Sequence, residues 1–116
     1  MINVYLNRGE TLVFDYELSG LSPDVISARI CIEIEGVDFC FPAVVTQNQI
    51  IASIPALNRV TNYELPVGAT FNIRLEVIGS GFYLVPWRDN IIVNQPIQVK
   101  SVQLDRKSPR IAIKPR

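Results

Sequence analysis

The chain contains no histidine and only two cysteines among its 116 residues. Without histidine, the commonest general base is missing, and the Ser-His-Asp and Cys-His arrangements cannot be built. A zinc site needs about four ligands, and two cysteines alone do not supply them. No GxSxG, P-loop or GxGxxG run occurs, and the one short glycine pair, Gly79-Ser80-Gly81, suits a turn better than a phosphate cradle. No catalytic residue, cofactor site or metal site is assigned, and the expectation is a protein that is not an enzyme. Long apolar runs are also missing: none approaches the roughly 18–20 residues of a membrane helix. The opening MINVYLNRGE lacks the basic start and apolar stretch of a secretion signal, so synthesis in a cytoplasm is expected.

Hydrophobic residues make up 48 % and charged residues 19 % of the chain, the balance of a folded body rather than a disordered one. The formal charge is zero, yet it is unevenly distributed. Residues 1–99 carry five basic side chains (Arg8, Arg29, Arg59, Arg74, Arg88) against ten acidic ones. Residues 100–116 carry Lys100, Arg106, Lys107, Arg110, Lys114 and Arg116 against Asp105 alone. This division predicts one body, 1–99, followed by a basic C-terminal arm, 100–116. The arm's cations are too few and too dispersed for a nucleic-acid site, which leaves an acidic protein surface or plain solvation.

Apolar residues recur with period two almost throughout. Strands are predicted at Asn3–Leu6, Thr11–Leu18, Val25–Glu35, Val37–Thr46, Gln49–Ile54, Ala69–Ile78, Phe82–Val85, Asn90–Val93 and Ile97–Leu104. The segment Ala56–Asn62 holds one helical turn at most. Short strands between Gly, Pro, Asn and Asp breakers indicate an all-β fold, a single antiparallel β-sandwich (Ig-like) or small β-barrel with an extended arm. The core face is predicted to carry Ala28, Ile30, Ile32, Ile34, Val37, Phe39, Phe41, Phe71, Ile73, Leu75 and Val77. Arg29, Cys31, Glu33, Asp38, Cys40, Asn72, Arg74 and Glu76 alternate onto the other face.

The two cysteines help to set a register. With Glu35–Gly36 as a two-residue loop, Ile34 pairs with Val37 and Cys31 faces Cys40 on a non-hydrogen-bonded pair. A disulfide is geometrically possible there, but nothing in the chain points to an oxidising compartment. Two free, part-covered thiols are the preferred reading. Glu33 opposite Asp38 is mildly unfavourable, so Arg29, Arg74 or a partner is expected close by. Tyr83 and Trp87 with Arg88 would suit a stacking platform, but Pro86 interrupts the ladder beside them. An edge strand or protein contact is therefore favoured.

The extended strand ending in VDFCFP, then IPAL at Ile54–Leu57, then RLEVIGSGFYLVPWRDNIIV at 74–93 stand in a suggestive order. Over about residues 28–99 this order resembles small β-rich structural proteins of tailed-bacteriophage heads. In those proteins a strand of LEVI type turns into a segment of F(V/T)PW(E/D) type. Leu75–Ile78 and Leu84–Asp89 match here, with Arg88 where an acid is frequent. The resemblance implies a virion structural protein made in the host bacterial cytoplasm: a capsid decoration or cement protein that bridges shell subunits. Its partners would be the major capsid protein, further copies of itself, or both, with no nucleic acid or membrane involved. The residues expected to carry partner contacts are Arg106, Lys107, Arg110, Ile111, Ile113 and Lys114 of the arm, together with Trp87 and Arg88. One alternative is a carbohydrate- or host-surface-binding module that stacks ligands on Tyr63, Tyr83 and Trp87. Another is a prohead core component.

Overall fold

The computed structural model describes residues 1–17, 25–62 and 64–95. Among these residues seven strands follow one another: β1 Ile2–Tyr5, β2 Glu10–Asp15, β3 Ile26–Ile34, β4 Val37–Val45, β5 Gln49–Ile54, β6 Thr70–Gly79 and β7 Phe82–Asn94. One 3-10 turn, Leu57–Arg59, follows β5. The strands form a single sheet in the order β1-β7-β6-β3-β4-β5-β2, curled nearly into a closed barrel. All pairings are antiparallel except that of β1 with β7, so the sheet is mixed rather than purely antiparallel.

The β3–β4 hairpin has the expected register, with Ile34 opposite Val37, Glu33 opposite Asp38 and Cys31 opposite Cys40. Its loop needs positive φ at both central residues, and Glu35 (53°) and Gly36 (77°) supply it. Alternation then fills the interior. Ala28, Ile30, Ile32 and Ile34 of β3 meet Ile73, Leu75 and Val77 of β6 in a core that also holds Val4, Ile50, Ile54, Leu57, Ile91 and Val93. Phe39, Phe41 and Phe71 pack at its margin, half-buried. Val37, predicted for the core, is exposed because it sits at the hairpin tip.

The main departure lies in β7. Pro86 does not divide two strands; one strand runs unbroken from Phe82 to Asn94. Leu75 pairs with Trp87 and Val77 with Leu84, so Glu76 on β6 faces both Val85 and Pro86 across a β-bulge. The extra residue takes Pro86, which has no N–H to donate, out of the regular ladder. The predicted strand Ile97–Leu104 and the arm 100–116 lie outside the described residues.

Candidate docking site at the barrel seam

On the outer face of the β4–β3–β6–β7 wall, the side chains that alternate away from the core are not simply solvated. Glu76 is 1 % exposed. Tyr83 donates its hydroxyl hydrogen to Glu76 at 2.6 Å, Arg74 donates through Nε at 2.7 Å, and Arg29 donates from its own Nε. Burial alone pushes the Glu76 carboxyl up; the hydrogen bonds from Tyr83, Arg29 and Arg74 overcome it and hold the pKa at about 2. Arg74 reaches on to Asp38 at 3.0 Å, which relieves the Glu33–Asp38 juxtaposition as expected. Beside this network Cys31 and Cys40 are joined in a disulfide, not held as the two free thiols that the sequence favoured. The non-hydrogen-bonded pair brings their Cα atoms to 4.1 Å, close enough for the bond to close. The wall is thus cross-linked and ion-paired.

The seam between β7 and β2 is built differently. Among the described residues, β2 is bonded to β5 alone, and β7 meets β1 only over Ile91–Asn94. Within them, each therefore has an edge without a strand partner: β2 along its length, and β7 from Phe82 to Asn90. The chain closes one end of this seam as it turns from β1 into β2, where Asn58 N–H donates to the Leu6 carbonyl at 2.9 Å. Among the described residues, nothing closes the other end. There, Phe14 of β2 meets Trp87 of β7 edge-on, with ring centroids 5.0 Å apart. Around that contact lies a cavity of about 310 Å³, floored by Leu75 and Val77 and rimmed by Leu84, with Asp15 and Glu17 at its mouth. Among the described residues, neither Asp15 nor Glu17 has a cationic partner.

The structure separates residues that the sequence grouped together. Trp87 lies in the seam, packed against the core. Arg88, its neighbour, is exposed and pairs in register with Arg74 on the outer face. Tyr83 also faces outward, toward Glu76. Plain alternation would put Tyr83 and Trp87 on one face; the bulge at Pro86 puts them on opposite faces, so they form no common stacking surface. Tyr63, Arg106, Lys107, Arg110, Ile111, Ile113 and Lys114 lie outside the described residues. Phe14, Leu84 and the acidic pair Asp15 and Glu17 were not singled out from sequence. The visible signal for them was alternation in TLVFDYE, which puts Leu12, Phe14 and Tyr16 on one face and Val13, Asp15 and Glu17 on the other.

Among the described residues, no group of three or more His, Cys, Asp or Glu side chains could hold a metal ion. Nor is any described helix long and apolar enough to cross a membrane. Compared with known proteins, the chain matches no family model and no curated protein.

Proposed function

We propose that this chain is a non-enzymatic structural protein of a bacteriophage virion, a decoration or cement protein that bridges subunits of the capsid shell. The observation that carries the reading is the open seam. A rigid barrel presents two strand edges and an apolar groove with an acidic mouth, in a chain that also carries a basic, alternating segment. Strand edges and short amphipathic segments are the means by which β-domains add to neighbours: backbone hydrogen bonds give affinity, and alternate side chains give specificity. The stiff wall suits the same role, because a bridging protein must hold shape under load. The order VDFCFP, IPAL and LEVIGSGFYLVPWRD, with its resemblance to phage-head proteins, supports the choice of shell.

A glycan-binding module is less well supported, since its platform needs Tyr83 and Trp87 on one face and they lie on opposite ones. The deciding experiment is binding to purified phage heads by the full chain and by a chain ending at residue 99. Saturable occupancy that is lost with the arm is expected. Undiminished occupancy by the shortened chain, or absence of the protein from mature particles, refutes the reading.

A further inference from the structure

We infer that in the free protein, before it meets a partner, the seam groove is a receptor for the chain's own basic arm, with residues 110–114 entering beside β2 as an added strand. The inference rests on reading the arm as a docking element, but not on the shell as its partner. Three observations converge on it.

The first is parity. In an extended chain, Arg110-Ile111-Ala112-Ile113-Lys114 puts Ile111 and Ile113 on one face and Arg110 and Lys114 on the other. β2 and the two residues after it are laid out in the same way, with Phe14 and Tyr16 half-buried toward the groove and Asp15 and Glu17 exposed at its mouth. A strand added at this edge sets isoleucine beside the aromatic row and cations beside the acidic row, in either direction. The second observation is termination. Pro109 and Pro115 bracket the five residues, and neither can donate a ladder bond, so pairing is confined to the segment that fits. The third is reach. Trp87 lies about 23 Å back along β7 from Asn94 at a strand's rise, and residues 95–110 can span roughly 50 Å when extended. Attachment within one chain raises the effective concentration of the segment to about the millimolar range, enough for a short strand with weak intrinsic affinity to dock.

Trp87 is the only tryptophan and lines the groove, so its fluorescence reports occupancy in the full chain. Two variants are compared with the parent, each checked for its fold by far-ultraviolet circular dichroism: Ile111→Asp with Ile113→Asp, and Asp15→Lys with Glu17→Lys. Both alter exposed or arm positions and leave the core intact. The expected result is a red-shifted emission and about a twofold rise in acrylamide quenching in both variants, with the parent monomeric in light scattering. Quenching unchanged in the arm variant overturns the inference. So does a dimer that dissociates in that variant, which would make a second copy's arm the occupant. These measurements use the isolated protein. Loss of head binding on arm removal, with Trp87 equally quenched throughout, would overturn this inference and leave the shell-binding proposal standing.

Discussion

The two sides of the barrel are made from the same strand alphabet and held by different forces. In the β3–β4–β6 wall each strand has neighbours on both edges, and the inward side chains of β3 and of β6 from Ile73 to Val77 are almost wholly excluded from water. Its outward side chains are tied by a disulfide and by ion pairs that meet at Glu76. At the seam, among the described residues, β2 has one strand neighbour, and aromatic rings stand in for a ladder. Stability in such a molecule is concentrated in the wall. The seam has the exposed backbone and lower burial from which binding surfaces are drawn. The difference can be tested by removing equivalent amounts of material from each side.

The largest effect is expected at Ile73, 1 % exposed and paired in register with Ile32. Ile73→Ala should cost about 3–4 kcal/mol through lost transfer energy and a cavity that a doubly flanked strand cannot collapse. Where that abolishes folding, Ile73→Val should still cost about 1 kcal/mol, readable as a shift in urea midpoint. A negligible effect for both would show the wall to be no better packed than the seam.

Glu76 comes next. Glu76→Gln should cost about 2 kcal/mol at pH 7, because it leaves two arginines without the charge they converge on; Arg29 is half-exposed, and water compensates in part. The sign with pH follows from the depressed carboxyl. Between about 4.5 and about 2 the unfolded chain binds a proton that the folded one does not, so the contribution is complete above that window and is lost as pH falls through it. Urea midpoints of parent and variant should differ most at neutral pH and converge near pH 2. A gap that stays constant would mean that the effect comes from packing rather than charge. Reducing Cys31–Cys40 should likewise cost about 2 kcal/mol, by releasing the loop it closes in the unfolded chain. It is measured as the fall in melting temperature with reductant, alongside a count of free thiols before and after.

The wall was also the legible side. Alternation in ARICIEIE and VDFCFP determined the hairpin register, because a one-residue slip would have turned Ile30 and Ile32 to solvent. The same pairing called for a positive charge near Asp38, from Arg29, Arg74 or a partner, and it is Arg74 that supplies it. Burial of Glu76 did not, since alternation assigns a face and says nothing of what covers it; that took Arg29, Arg74 and Tyr83 arriving from three strands. The disulfide was hidden for a related reason: the register sets Cys31 opposite Cys40, but the sequence carries no signal of an oxidising compartment that would favour the bond. The seam was hidden by Pro86. Period two fails at a bulge, and everything beyond it changes face, so nothing in the sequence shows that Tyr83 and Trp87 lie on opposite faces. That the described residues close the barrel at one end and leave it open at the other depends on β1 pairing with β7 across nearly their whole length, a long-range parallel contact with no local signature.

The smallest effect is expected from Phe14→Ala, and its size relative to the others carries the argument. Phe14 is a large aromatic, and deleting one from a closed core costs about 3–5 kcal/mol. Here the ring is half-buried on a strand with a free edge and contacts Trp87 only edge-on. Water already reaches part of the site, so the lost transfer energy is smaller and no sealed cavity remains. About 1 kcal/mol is expected, or roughly 4–8 °C in melting temperature for a body of this size. Trp87 emission should move more than stability does, because the indole loses the neighbour that screens it while the wall beneath stays intact. A loss as large as that of Ile73→Ala would mean that the seam holds the barrel together, and an opening that the fold cannot spare is a poor place to receive a strand.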